Sequence, residues 1–169
     1  MSNDALSDAI KEAFALAPSN VVYLETLEIR HPQIPDSIFL VKDMQNHVLR
    51  LETGVQKTFE AAAFRMSLPA TGDNGLQELS IGIDNIDRRI SDFLNIASTY
   101  PDATVVIFRP YLSTDPDTVQ MDPPLSLYLT DISVTAVEVI GKATFADINN
   151  KTFPTERYTR ARFPSLGNG

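Results

Sequence analysis

Between Leu76 and Ser113 the apolar period changes twice, and that change limits the folds open to the chain. Leu79, Ile81 and Ile83 alternate with Glu78, Ser80 and Gly82, the two-residue period of a half-buried strand. From Asp84 onward, Ile86, Ile90, Phe93, Leu94 and Ala97 fall on one face of an α-helix. Asn85 or Asp87 is placed to accept a hydrogen bond from the free N–H groups of its first turn. Tyr100-Pro101-Asp102 ends the helix, because a proline disfavours helical geometry in the residue before it. Ala103 to Leu112 is apolar and extended again. A strand, a helix and a strand in one short stretch form the unit against which the remainder is expected to pack.

On either side the patterns are those of strands and turns. Residues 3 to 17 read as a helix, with Leu6, Ile10, Ala13, Phe14 and Ala17 as its apolar stripe and Pro18 as its stop. Val21 to Ile29 is rich in β-branched and aromatic residues, and its acids Glu25 and Glu28 have opposite parity, which puts one near a strand end. The two prolines in Arg30 to Pro35 exclude that segment from a central strand. Ile38 to Val41 resumes the extended run, with turns expected at Asp43 to Asn46 and at Thr53-Gly54. Val55 to Leu68 reads as a long strand or bent pair. Phe59, Ala61, Ala63 and either Phe64 or Met66 mark its buried face, with a bulge at Ala62-Ala63-Phe64. Pro69 to Gly75, ending in Asn74-Gly75, is the strongest hairpin signal.

Pro110 puts the far half of the next strand, Thr104 to Leu112, at an edge or bulge. Residues 113 to 124 form a polar, proline-rich loop, expected to be an exposed excursion. Leu125 to Ile132 and Val134 to Asp147 read as alternating strands, with Gly141-Lys142 as a turn or bulge in the second. The expected fold is α+β: a mainly antiparallel β barrel or sandwich, with an N-terminal helix and one helix inserted between central strands. It is read as a single β-rich domain over residues 1–148 and a basic, extended C-terminal arm over 149–169.

Chemistry is sparse. The chain has no cysteine, which removes disulfides, thiolate nucleophiles and cysteine-ligated clusters, and fits synthesis in a reducing cytoplasm. Its acidic, amphipathic N-terminus reads as neither a signal peptide nor a transit sequence. No apolar run approaches the ~20 residues of a membrane span. The formal charge of −8 disfavours nucleic acid as a partner. His31 and His47 lack the spacing of a metal pair. Asp115, Asp117 and Asp122 lack the glycine and distal glutamate of a calcium loop. Asp84 and Asp87, which have the look of a glycosidase pair, are better explained as helix caps. No serine stands in a nucleophile elbow, no loop is built to cradle phosphate, and Arg88-Arg89 reads as a helix's wet face. No catalytic residue, cofactor or metal is expected, and the chain is read as non-enzymatic.

Charge is unevenly placed. Lys151, Arg157, Arg160 and Arg162 against Glu156 give the last 21 residues +3, leaving −11 for residues 1 to 148. The arm also carries Phe153-Pro154, Tyr158 and Phe163-Pro164, large anchors in a stiff extended segment. Its candidate interface residues are Phe153, Arg157, Tyr158, Arg160, Arg162 and Phe163. Such an arm can lie across its own body, slightly favoured by this pattern, or across a neighbour.

Several stretches in order carry a resemblance that spans nearly the whole chain. They are Leu24-Glu-Thr-Leu-Glu-Ile-Arg-His-Pro32, Phe59-Glu-Ala-Ala-Ala-Phe64, Ser67-Leu-Pro69 and Leu79-Ser-Ile-Gly-Ile-Asp-Asn-Ile86. Arg109-Pro-Tyr-Leu-Ser113, Val139-Ile-Gly-Lys-Ala-Thr-Phe-Ala-Asp147, Phe153-Pro154 and Tyr158-Thr-Arg-Ala-Arg-Phe-Pro164, with the N-terminal helix that leads into Leu24, complete the set. In these the chain resembles small minor tail proteins of tailed bacteriophages and prophages, whose domain has no assigned function. The resemblance implies a structural protein of the virion, at the tip of a long, flexible, non-contractile tail. It would sit as a threefold or sixfold homo-oligomeric ring between the tail tube or distal tail protein and the hub, with the tape measure protein nearby. The iron–sulfur ligands of one lambda-like tail-tip protein have no counterpart here. The alternative is a host-receptor or carbohydrate-binding module, for which the absence of tryptophan is a poor provision. A cell-wall hydrolase, the third reading, lacks a nucleophile or metal constellation.

Overall fold

The computed structural model describes residues 21–67, 78–84 and 88–145. The expected helix at 3–17, the turn at 69–75, the caps Asn85 and Asp87 and the arm at 149–169 lie outside the described residues. Among the described residues there are nine strands and one helix: β1 (Tyr23–His31), β2 (Ile34–Val41), β3 (His47–Arg50), β4 (Gln56–Ala61), β5 (Phe64–Ser67), β6 (Glu78–Asp84), α1 (Arg89–Ala97), β7 (Val105–Leu112), β8 (Leu125–Val134) and β9 (Glu138–Phe145). They form one mixed sheet in the order β3-β4-β2-β1-β7-β8-β9-β6-β5. Every pairing is antiparallel except β2 with β4, which run parallel at Leu40↔Glu60 and Val41↔Ala61.

The chain from Gln56 to Ser67 joins two distant parts of that order. Its first half lies beside β2, where Ala62 N donates to Val41 O at 2.9 Å. Its second half pairs with β6, from Phe64↔Ile83 to Ser67↔Ser80. The break falls at Ala62-Ala63, where a bulge is expected from the slipped alternation. Phe59 and Phe64 are buried, whereas Ala61 and Ala63 are exposed, so the aromatic residues alone mark the inner positions.

Two apolar layers result. The larger takes one face of each of β1, β2, β5, β6, β7, β8 and β9, with Ile90, Phe93, Leu94 and Ala97 of α1 laid against it. The smaller lies on the opposite face of β1 and β7, where Leu24 and Tyr111 meet Val41, Leu49 and Phe59. Consequently β7 is buried at nearly every position, and β1 through most of its length. Phe59 stands edge-on to Phe39 and Tyr111, with ring centroids 5.2 and 6.1 Å apart.

The helix lies where its apolar period places it, but its cap differs from expectation. Its N-cap is Arg88, in the left-handed region at φ 62°, with no side-chain cap bond. Ser91 Oγ donates instead to Arg88 O at 2.7 Å. Arg89 is not a free wet-face charge: it forms an ion pair with Glu60, tying the helix start to β4.

Three further expectations are corrected. Arg30 and His31 do belong to an internal strand, pairing with Val105 and Ile34, because the prolines fall where they remove no needed donor. Pro32 occupies the tight turn, and Pro35 lies on a part of β2 that pairs only with β1. Gly141 is no turn: it pairs with Ile81 inside β9, and a Cβ there would meet Leu129 Cδ2 at 3.1 Å. The irregularity lies across the ladder in β8, at Asp131 with φ 41°. The 113–124 loop is only partly an excursion, since Gln120 is buried and its N–H donates to Pro110 O at 2.8 Å. That bond covers the edge where β7, beyond its pairing with β8 at Phe108, carries Pro110 as expected.

Phe59→Ala is expected to cost about 3–5 kcal/mol, because it empties the centre of the smaller layer. Ile140→Ala, at a 41% exposed position, should change stability by less than about 0.5 kcal/mol. Urea unfolding of the two variants against wild type checks the contrast.

Candidate functional site

Arg109 lies in the middle of β7 with its side chain 3% exposed, on the face that carries the smaller layer. Strand register puts Thr26 opposite it and Glu28 two residues further along β1 on the same face. Arg109 Nη1 donates to Glu28 Oε2 at 2.7 Å. Nε and Nη2 donate to the two oxygens of Glu52 at 2.6 and 2.8 Å, the forked geometry that suits a guanidinium to a carboxylate. Glu52 comes from the turn between β3 and β4, which Gly54 at φ 85° allows to close. Thr26 Oγ1 donates to Arg109 O at 2.6 Å, and the Tyr111 hydroxyl donates to Arg50 O at 2.8 Å.

Each partner's electrostatics follow from this packing. Hydrogen bonding from Arg109 holds the Glu52 carboxyl below its ordinary value, against the opposing effect of burial. Burial pulls the Arg109 guanidinium toward neutrality, but Glu52 and Glu28 together outweigh it and keep the charge in place. Burial also raises the Tyr111 hydroxyl, which acts as a donor to backbone and not as an acid. Nearer the strand end, burial first and then Glu25 push Tyr23 up to about 12.

Beside this network lies an open groove of about 370 Å³, between the outer edge of β2 and the segment entering β4. Phe39, Leu51 and Val55 supply its apolar surface, and Glu28, Asp36 and Ser37 its polar one. Lys57 Nζ stands 5.7 Å from the centroid of the Phe39 ring. A second, inner cavity of about 10 Å³ is lined by apolar side chains such as Ile29, Ile81 and Leu94, and is no larger than one water.

Most residues weighed for chemistry are bound up in structure. His31 Nδ1 accepts the Gln33 N–H at 3.2 Å, so Nε2 carries the proton and donates to Asp102 O at 3.0 Å. His47 pairs with Asp43, and that hydrogen bond lowers the Asp43 carboxyl. Asp117 pairs with Arg50 at 3.0 Å, and Asp115 accepts from Gln120 at 3.3 Å. Asp84 is exposed at the end of β6 and its N–H donates to Ala63 O. Among the described residues no group of three metal-binding side chains gathers. The candidate interface residues Phe153, Arg157, Tyr158, Arg160, Arg162 and Phe163 lie outside the described residues.

The Arg109 network escapes sequence reasoning because its members stand 81 and 57 residues apart. A single arginine inside an otherwise apolar strand is the one available signal: a charge there needs a buried partner.

Arg109→Met alone is expected to cost about 3–5 kcal/mol, since it leaves Glu28 buried without its partner. Adding Glu28→Leu should recover most of that loss, whereas Glu52, 40% exposed, can rehydrate. Because the Glu52 carboxyl is depressed when folded, its contribution is present above its ordinary value of 4.5 and is lost as pH falls through the folded value. Wild-type stability should therefore fall below about pH 4.5, and Glu52→Gln should flatten that part of the profile in urea titrations at stepped pH.

Among curated proteins, none matches this chain. A family model does, over residues 9–158, from ahead of β1 through all the described strands and into the basic arm. The chain belongs to that family, DUF1833, described as a domain of unknown function.

Proposed function

We propose that the protein is a non-enzymatic structural component of a bacteriophage tail tip, assembling through copies of itself into a threefold or sixfold ring between the distal tail protein and the hub. On this reading the sheet, joined at both ends by Gln56 to Ser67, is the wall of a closed barrel. The observation that carries the proposal is the tip of the β8–β9 hairpin. Ile132, Val134 and Ile140 are each 41% exposed there and Val137 is 75% exposed. These four partly exposed apolar side chains fall within nine residues, Val134 on the face of buried Val139 and Ile140 on the opposite face with Ser133, and exposed apolar surface on both faces of a hairpin end is suited to a protein contact. Beyond Leu129, whose N–H donates to Thr104 O, β8 has passed the last residue of its pairing with β7, so among the described residues the end of β8 also presents a strand edge.

The end-to-end resemblance to minor tail proteins supports the same reading, and so do the two histidines and the Asp115, Asp117 and Arg109 side chains, which are occupied in structural bonds. A closed ring repeats one heterologous contact by rotation, and this chain has unlike surfaces to supply it: an apolar hairpin, an open groove and a basic arm on an acidic body.

Mass photometry of purified protein should give a discrete species at three or six times 18.7 kDa. Val137→Lys with Ile140→Lys should weaken assembly at least about tenfold, a loss of 1.4 kcal/mol or more at the contact. The melting temperature should stay within a few degrees, because both positions are exposed. Gold-labelled antibody on phage particles should decorate the tail tip. Decoration elsewhere, or a monomer at every concentration, would sink the proposal.

A further inference from the structure

The β2 edge beside the Arg109 network is built to receive an extended chain. Lys42 N donates to Glu25 O at 2.9 Å, so Lys42 and Leu40 turn their peptide groups toward β1. By the alternation of an extended strand, Phe39 turns its peptide group outward, and Ser37 follows it in the stretch where the β1 register shifts and the groove opens. Among the described residues, β4 meets that outer edge only from Leu40 onward, and ahead of that point the two parallel strands splay. The groove between them is floored by Phe39, Leu51 and Val55, with the Glu28 and Asp36 carboxylates along β1 and β2. A sheet edge beside an apolar floor is the arrangement used for strand addition: main-chain bonds hold the guest, and its alternate side chains enter the floor.

The arm has the matching chemistry. Between Pro154 and Pro164 lie nine residues, Thr155 to Phe163, each with a backbone N–H to give, and Tyr158, Thr159 and Phe163 favour extended structure. Three of the nine are arginines, in a segment of net +3 facing a body of −11. We infer that the groove between β2 and β4 is the docking site for residues 149–166 of a second copy of this chain, added to the outer edge of β2 as a strand. The inference rests on the ring reading above and names its two unlike surfaces: the arm of one copy and the β2 edge of the next. An arm arginine then lies near Asp36, the groove carboxylate that Arg109 does not hold, and an arm aromatic sits beside Phe39.

The absence of cysteine makes the test direct, because each introduced thiol is the only one in its chain. Ser37→Cys and Thr159→Cys are made separately in the full chain, mixed and oxidised. A disulfide-linked dimer is expected at several times the yield of an Ile96→Cys and Thr159→Cys pair, since Ile96 is exposed on α1, away from the groove. Synthetic peptide 149–166 in excess should suppress it. A yield no higher than that control overturns the inference, and so does a doubly substituted S37C/T159C chain that closes only on itself as a linked monomer. Mass photometry of the wild type separates the two levels. Assembly without the Ser37 cross-link defeats the groove and leaves the ring standing, whereas a wild type that stays monomeric defeats both. Thermal melts of the Ser37→Cys chain, which should match wild type within a few degrees, exclude misfolding as the cause of a missing cross-link.

Discussion

A guanidinium shielded from water ties the β3–β4 hairpin to β1 and β7. Arg109 sits on a strand buried on both faces, where an unpaired charge would be expelled or neutralised. It stays because three of its nitrogens meet three carboxylate oxygens at 2.6 to 2.8 Å, one from β1 and two from the β3–β4 turn. The network therefore reports on topology. It forms only when β1 lies beside β7 and the β3–β4 hairpin folds back over their outer face. A buried pair of this kind contributes little net stability compared with apolar side chains of the same volume, but its disruption is expensive. Its consequence is a specified docking of the hairpin, not a large gain in free energy.

That docking in turn shapes the surface. Because the hairpin is drawn onto β1 and β7 by Glu52, Leu49 and Phe59, β4 meets β2 only near Val41, and no other strand among the described residues pairs with the outer edge of the earlier part of β2. The groove is thus a by-product of how the second layer is anchored, and Glu28 belongs to both. At the other side of the sheet, β8 runs past its pairing with β7 while β9 stays paired with β6, and Ile132, Val134 and Val137 keep part of their apolar surface in solvent. The proposed tail-tip role uses these two features as contact surfaces, and the polar interior as the brace that keeps them in fixed relation.

Local rules were legible in the chain wherever one residue decides one geometry. The change of apolar period at Asp84 marks the passage from β6 toward α1, and Pro110 marks the part of β7 beyond its pairing with β8. Gly54 closes a turn, and the slipped alternation at Ala62-Ala63 marks the point where one strand becomes two. Where two local signals compete, sequence reading fails. The prolines at 32 and 35 argue against a strand, yet β1 and β2 meet there, because one proline takes the turn and the other lies where β2 pairs on one side only. Gly141 has the look of a turn residue but is placed by Leu129 packing across from it.

By itself, then, the order of residues determined a β-rich chain with one helix between strands, an acidic body and a basic, aromatic arm. These are properties of periodicity and composition, which neighbouring residues set among themselves. Tertiary structure alone decided the strand order, the parallel meeting of β2 with β4, the second apolar layer, and the partners of Arg109. Each depends on contacts between segments tens of residues apart, and no local pattern records which distant carboxylate will face a buried arginine. The groove follows the same rule, since it exists only where two strands, each ordinary in sequence, diverge.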